Sequence, residues 1–291
     1  EKEMLALLKE KNIPVIPVLN KIDIRENSDH LATYIEEQCK ISPLLISAKE
    51  KIGIELIRQA ILEKLPSDFG QQNITGKLVA ENDLVLLVMP QDIQAPKGRL
   101  ILPQVQTIRE LLDKKCLVMT CTTDKFSATL QALARPPKLI ITDSQVFKAI
   151  YEQKPKESEL TSFSVLFAGY KGDIHYYVES AAVIERLTES SRVLIAEACT
   201  HAPLSEDIGR VKLPRLLRKR IGENLQIDMV TGTDFPQDLT PYSLVIHCGA
   251  CMFNRKYVLS RIERAREQHI PMTNYGVAIA FLNGILDQIK Y

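Results

Sequence analysis

Short apolar runs alternate with helical patterns along most of this chain, and that alternation most narrows its fold. In residues 76–172 the runs are Leu84–Met89, Cys116–Cys121, Leu139–Thr142 and Ser164–Phe167. In residues 173–291 they are Val193–Ala196, Leu225–Val230, Leu244–His247 and Ile270–Thr273. All are of strand length. Between them apolar residues recur at helical spacing, as in Val105, Ile108, Leu111 and Leu112, or Val258, Ile262 and Ala265. Strands that alternate with helices predict a parallel sheet covered by helices. Each stretch is therefore expected to form a small parallel-sheet α/β domain. Leu225–Val230 alternates apolar with polar residues, as an edge strand with one wet face does. A strand order of 2-1-3-4 is expected in the last domain, with its reversal between the first and third strands.

Residues 1–66 read differently. A helical segment, Glu1–Lys11, leads through an apolar run into Asn20-Lys21-Ile22-Asp23. A second run, Pro43–Ile46, leads into Ser47-Ala48-Lys49, and a helix from about Gly53 to Leu65 closes the segment. N-K-x-D and S-A-K at this spacing, each after a strand, resemble the C-terminal third of a Ras-like GTPase domain of the translation-factor type. The resemblance implies that Asn20, Lys21, Asp23, Ser47, Ala48 and Lys49 form a guanine pocket, in which the Asp23 carboxylate accepts from the base and the Lys21 stem packs on the ring. A phosphate-binding G-x-x-x-x-G-K-[ST] is not found in these 291 residues; the only Gly-Lys pair, Gly76-Lys77, is followed by Leu78. The segment is expected to be the C-terminal part of a GTPase domain whose N-terminal part is missing, and this chain is expected not to hydrolyse GTP. Residues 67–75 are polar and read as a linker.

The chemistry-bearing residues gather in two short stretches, Glu197-Ala198-Cys199-Thr200-His201 and His247-Cys248-Gly249-Ala250-Cys251. Together they read C-x-H, a spacer of 45 residues, then H-C-x-x-C. Each follows a predicted strand. In an open parallel sheet both cysteine segments then lie at the carboxyl edge, where ligands bind at the reversal of strand order. Thiolate and imidazole hold zinc or iron–sulfur clusters, and a C-x-x-C at a helix start also serves as a redox pair. Chemistry alone leaves zinc and iron–sulfur open, with inert thiols the plainest alternative. Cys116 and Cys121 flank one strand and read as core thiols. The basic stretch from Arg210 to Arg220 reads as a solvated helix face, with docking of an acidic protein partner or screening of an anionic cluster as the functional alternative.

The order of segments, together with E-A-C-T-H-A-P-L-S-E-D-I-G-R-V-K-L-P (197–214), H-C-G-A-C (247–251) and G-R-L-I-L-P-Q-V-Q-T-I-R-E-L-L-D (98–113), resembles HydF, the family of FeFe-hydrogenase maturation GTPases, along essentially the whole chain. The resemblance implies a last domain (173–291) that binds a four-iron four-sulfur cluster through Cys199, Cys248 and Cys251, with an exchangeable fourth position. His201, His247, Glu197 and Glu206 are candidates for that position or for a supporting role. Alternation along the strand would turn the His247 side chain away from that of Cys248. Asn274 and Tyr275, after the fourth strand, are expected to line the site. Residues 76–172 would be the dimerisation domain, making a homodimer. Such proteins receive material from the HydE and HydG maturases and deliver a two-iron unit to the apo-hydrogenase HydA; GTP and Mg belong to the full-length protein. The alternative is a GTPase with a structural Cys3His zinc site, acting in RNA modification or ribosome assembly. A net charge of +1 argues against bulk attraction to nucleic acid. No apolar run reaches the ~20 residues of a membrane span, and six cysteines in 291 residues do not make a disulfide framework. A cytoplasmic setting is expected.

Overall fold

A computed structural model of the chain describes residues 2–10, 13–65, 73–90, 100–198, 208–250 and 253–291. It divides into two compact units, Glu1–Gln71 and Gln72–Tyr291. The first unit runs α1 (Lys2–Glu10), β1 (Val18–Leu19), α2 (Ser28–Cys39), β2 (Leu44–Leu45) and α3 (Ile54–Lys64). The two strands pair in parallel, Val18 with Leu44 and Leu19 with Leu45. Their carboxyl ends therefore open side by side into the Asn20 and Ser47 segments.

The second unit contains two four-stranded parallel sheets. The first is built from β3 (Leu84–Val88), α4 (Leu102–Asp113), β4 (Leu117–Cys121), α5 (Phe126–Ala132), β5 (Leu139–Thr142), α6 (Phe147–Gln153), β6 (Glu159–Ser162) and α7 (Phe163–Lys171), in the order β4-β3-β5-β6. The second follows with α8 (Ile174–Ala181), β7 (Arg192–Ala196), α9 (Leu213–Ile221), β8 (Gln226–Val230), β9 (Leu244–His247), α10 (Arg255–Glu267), β10 (Met272–Asn274) and α11 (Tyr275–Leu282), in the order β10-β9-β7-β8. Numbered within the domain this is 2-1-3-4, the expected order, and its reversal lies between β7 and β9.

Three departures from the sequence reading have physical causes. Ser164–Phe167, expected as a strand, lies inside helix α7. Ser162 caps that helix, its hydroxyl accepting from the Val165 N–H at 3.2 Å. Val165 and Ala168 face one apolar core, while Phe163, Leu166 and Phe167 face another, so the helix is apolar all round and carries no amphipathic signal. The strand of this segment is instead the more polar Glu159–Ser162. The last strand starts at Met272 rather than Ile270, because the Ile270 N–H still closes helix α10 on the Ala265 carbonyl at 2.9 Å. Finally, the residues read as the end of a linker are packed. Ile74 and Thr75 are buried, and the carboxylate of Glu110 accepts from both of their backbone N–H groups.

One apolar core joins the two sheets. It contains Leu86, Ile140 and Phe147 from the first and Leu194, Val245 and Ile262 from the second. On α10 the expected face, Val258, Ile262 and Ala265, is buried, and Arg261 is buried with it. Among the described residues no helix is long and apolar enough to cross a membrane.

Candidate metal centre at the rim of the second sheet

Parallel register sets this site. Ala196 of β7 lies beside His247 of β9, which lies beside Asn274 of β10. The three strands therefore end together, and Glu197, Cys248 and Tyr275 leave the sheet along one edge. The Cys248 N–H donates to the Ala196 carbonyl at 2.9 Å, extending the ladder one residue past β9. The half-buried Cys248 sulfur accepts two backbone N–H groups, from Ala198 at 3.0 Å and from Ala250 at 3.4 Å. Ala198 immediately precedes Cys199 in the chain, so the first cysteine segment touches the sulfur of the second. Cys199, His201, Glu206 and Cys251 lie outside the described residues. Among the described residues no three His, Cys, Asp or Glu side chains gather as a metal set.

A sulfur that receives backbone N–H bonds at a sheet edge fits a thiolate ligand. Anionic sulfur accepts such bonds well, and hydrogen bonds to the sulfurs tune iron–sulfur clusters. The donor chemistry of Cys248 thus fits the cluster that the resemblance implies.

His247 is oriented away from that sulfur. Its ring is fully buried. An arginine N–H can only donate, so the contact from Arg261 Nη1 to His247 Nε2 at 2.9 Å makes Nε2 the acceptor. The proton then sits on Nδ1, which donates to the Cys248 carbonyl at 2.7 Å. Burial first, and the Arg261 charge second, lower the pKa of His247 to about 4. With both nitrogens engaged, this imidazole braces the loop from behind. Arg261 itself lies between the rings of Phe235 and Tyr257, each 4.6 Å from the guanidinium carbon, and donates to the Gly232 carbonyl and the Tyr257 hydroxyl.

Glu197 is buried, and its Oε2 accepts from Arg210 Nη2 at 3.0 Å and Nε at 3.2 Å. Arg210 belongs to a π-helical turn, Ile208–Lys212, a bulge often found at functional sites. Within it Gly209 has no room for a side chain: a Cβ there would strike the Tyr275 hydroxyl and come within 2.8 Å of Glu197 Oε1. Glu197 and Tyr275, both anticipated as site residues, thus meet over Gly209. Asn274 is buried, and its Oδ1 caps helix α11 by accepting from the Val277 N–H at 3.1 Å, so this side chain holds a helix at the rim.

In the first unit the two segments expected to form a guanine pocket clasp each other. Asn20 Oδ1 accepts from the Lys21 N–H at 2.7 Å and the Ala48 N–H at 3.0 Å. The Ser47 hydroxyl donates to Asp23 Oδ1 at 2.6 Å, and this bond is the main cause of the lowered pKa of Asp23. Lys21 adopts a left-handed backbone (φ 68°) at the turn, and Lys49 is exposed beside Glu50 at 3.5 Å. All six expected residues lie on these adjoining turns. Cys116 and Cys121 are core thiols: burial raises both pKa values, and Cys116 donates to the Ala80 carbonyl at 3.3 Å.

The hydrogen maturase F dimerization domain matches residues 74–172, and the hydrogen maturase F tetramerization domain matches residues 175–290. The matches run through both sheets with only Asp173 and Ile174 between them. The chain belongs to the hydrogen maturase F family. The last domain, read from its cysteines as a cluster domain, also carries a name for self-association, which no residue pattern had suggested. Shorter likenesses exist to elongation factor 4: 40% identity over 68 residues with that of Hydrogenobaculum sp. (22% of this chain, 11% of the relative), 42% over 65 residues with that of Aquifex aeolicus (21% and 11%), and 44% over 63 residues with that of Mycoplasma mycoides (20% and 10%). The chain spans about a tenth of the length of these relatives. The matched domains give no support to the alternative of an RNA-modifying zinc protein.

Three contributors escaped sequence reasoning. Gly209 left no signal, and neither did Lys171, whose ammonium donates to the Ala250 carbonyl at 2.8 Å. Arg261 did, because it falls on the apolar stripe of α10 between Val258 and Ile262.

Proposed function

We propose that this hydrogen maturase F chain is the scaffold and carrier part of a hydrogenase maturation protein, holding a four-iron four-sulfur cluster through Cys199, Cys248 and Cys251. The observation that carries the proposal is the Cys248 sulfur, placed at the switch point of a parallel sheet and receiving the N–H of Ala198, next to Cys199. When bound, the cluster supplies an iron with an exchangeable fourth ligand and a capacity for electron transfer. The chain's own residues do the rest. The Ala198 and Ala250 N–H groups stabilise negative charge on sulfur, and His247 and Arg261 fix the loop from the buried side. Glu197 is held by Arg210 beside the site and remains the described carboxylate candidate for the exchangeable position; His201 and Glu206 are the other candidates. The cargo is the two-iron unit, received from HydE and HydG and delivered to HydA.

The first unit is, on this reading, the base-recognition part of a Ras-like GTPase domain, with Asp23 as the guanine acceptor. The likeness to elongation factor 4 over 63–68 residues, about the length of this unit, supports it. GTP and Mg act in the full-length protein, where hydrolysis gates transfer. Self-association of the first sheet suits its edges. The β6 edge is covered, the Leu160 carbonyl accepting from the Lys290 N–H at 3.1 Å. On β4, by contrast, Leu117 and Met119 are exposed, and the adjoining α4 shows Val105 and Leu112 to solvent. An open apolar strand edge invites a second copy.

The test is delivery. Anaerobically loaded full-length protein mixed with apo-HydA restores hydrogen evolution, and Cys248→Ser abolishes it. Equal activation by the Ser variant would refute the carrier reading.

A further inference from the structure

The helix that ends the dimerization module also reaches the cysteine loop. Helix α7 finishes at Lys171, which is buried. Its ammonium donates to the carbonyl of Ala250 at 2.8 Å and of Phe253 at 2.9 Å, one on either side of Cys251 in the sequence. Arg255, at the start of α10, crosses the opposite way. Its Nη1 donates to the carbonyls of Gly169 (3.2 Å), Tyr170 (3.0 Å) and Gly172 (3.0 Å), where α7 leaves carbonyls without helical partners. The module that precedes Asp173 and the module that follows it are thus pinned by two cations running in opposite directions, of which Lys171 acts on the end of the H-C-G-A-C loop.

The lysine bond acts at a conformationally demanding point. Ala250 has φ 48°, the left-handed region that non-glycine residues seldom occupy. Its N–H points to the Cys248 sulfur at 3.4 Å, and its carbonyl accepts from Lys171 and from the Phe253 N–H at 3.0 Å. The carbonyl and the N–H belong to the two peptides that flank the Ala250 Cα, so holding the carbonyl restrains the residue whose N–H addresses the sulfur.

We propose that Lys171 is a positioning residue for the cysteine loop: from the dimerization module it fixes the Ala250 and Phe253 carbonyls, keeps the Ala250 N–H on Cys248, and sets a positive charge beside the cluster site. The role toward a cluster rests on the reading of Cys248 as a ligand. Arg255 secures the helix that carries Lys171. The self-associating module thereby bears directly on the cysteine loop through the Lys171 side chain.

The experiment compares full-length wild type, Lys171→Met, which keeps length and loses charge, and Lys171→Arg. In iron-free protein, amide hydrogen exchange in peptides covering residues 246–256 speeds up at least about tenfold in Lys171→Met, the factor that loss of even one of its two charge-assisted hydrogen bonds gives. Exchange in β7 and β9 stays unchanged, and Lys171→Arg returns most of the protection. After anaerobic loading, iron leaves Lys171→Met to a chelator about tenfold faster on the same grounds. The EPR g-values of the reduced cluster move, and its midpoint potential falls, because a positive charge that favoured the reduced form is gone. Arg255→Met, which frees α7 from the other side, gives the same exchange pattern and serves if Lys171→Met does not accumulate as folded protein. Wild type that holds iron, with a folded Lys171→Met indistinguishable from it in exchange, stripping and EPR, overturns the role of Lys171 alone. Wild type that holds no iron overturns the cluster reading, and the role of Lys171 toward a cluster falls with it.

Discussion

Arg261 offers the sharpest test of how the cysteine loop is braced. It is a buried cation with no carboxylate partner among the described residues, held by two aromatic faces and by acceptors on His247, Gly232 and Tyr257. In Arg261→Met, His247 Nε2 loses its donor inside the core, while the Gly232 carbonyl keeps the Tyr257 hydroxyl at 3.0 Å. One unmet buried acceptor costs about 1–3 kcal/mol, partly offset because a buried charge is also removed, so a net loss of about 1–2 kcal/mol is expected. His247→Phe removes the acceptor instead. The double variant then loses less than the two single variants together, by about 1.5–3 kcal/mol, the range for a hydrogen bond to a charged donor. Urea unfolding of the iron-free protein, followed by far-UV circular dichroism since the chain has no tryptophan, measures all four corners. The sign of the pH dependence gives a second reading. The pKa of His247 falls from 6.5 to about 4 on folding, so the fold favours the neutral ring. Its contribution is complete above pH 6.5 and is lost as the pH falls toward 4, a span worth about 3 kcal/mol. That loss should vanish in His247→Phe. Additivity within about 0.5 kcal/mol, with an unchanged pH slope in the phenylalanine variant, would refute the bracing argument.

Other perturbations separate the remaining parts. Met119→Lys on the open β4 edge should shift full-length protein toward smaller species in light scattering while circular dichroism stays unchanged; an unaltered mass would place the self-association face elsewhere. Gly209→Ala forces a Cβ against Tyr275 and Glu197, at a cost of about 1–3 kcal/mol by overpacking, and should lower iron retention more than global stability; equal iron retention would show that this crowding does not reach the site. In the full-length protein Asp23→Asn should weaken guanine nucleotide binding at least about tenfold, since an amide cannot accept both base N–H groups as a carboxylate does; unchanged affinity by fluorescent-nucleotide titration would remove Asp23 from the base pocket.

Much of this arrangement is legible in the chain because parallel α/β sheets write themselves plainly. Buried strands such as Leu139–Thr142 and Leu244–His247 are short apolar runs, and the expected order of the second sheet is the one observed. The strands that precede the two cysteine segments end side by side, so Glu197 and Cys248 leave the sheet together. Legibility fails where burial erases periodicity. Helix α7 lies between two cores, so its apolar run looks like a strand, while the true strand, Glu159–Ser162, is polar enough to look like a loop. Lys171 lies 79 residues before the Ala250 carbonyl it binds, and nothing local marks a lysine destined for burial. His247 reads as ligand or brace from the sequence, and the partners of its two ring nitrogens, the Cys248 carbonyl and Arg261, make it a brace.

The central claim is that sulfur at the rim of the second sheet holds iron. Anaerobic iron, sulfide and zinc analysis of the purified protein, with EPR of the dithionite-reduced sample, tests it directly. The account predicts brown protein with about four irons per chain and the signal of a reduced four-iron cluster, lost in Cys248→Ser while the fold persists. Colourless protein with stoichiometric zinc, or an unchanged iron signal in Cys248→Ser, would contradict it.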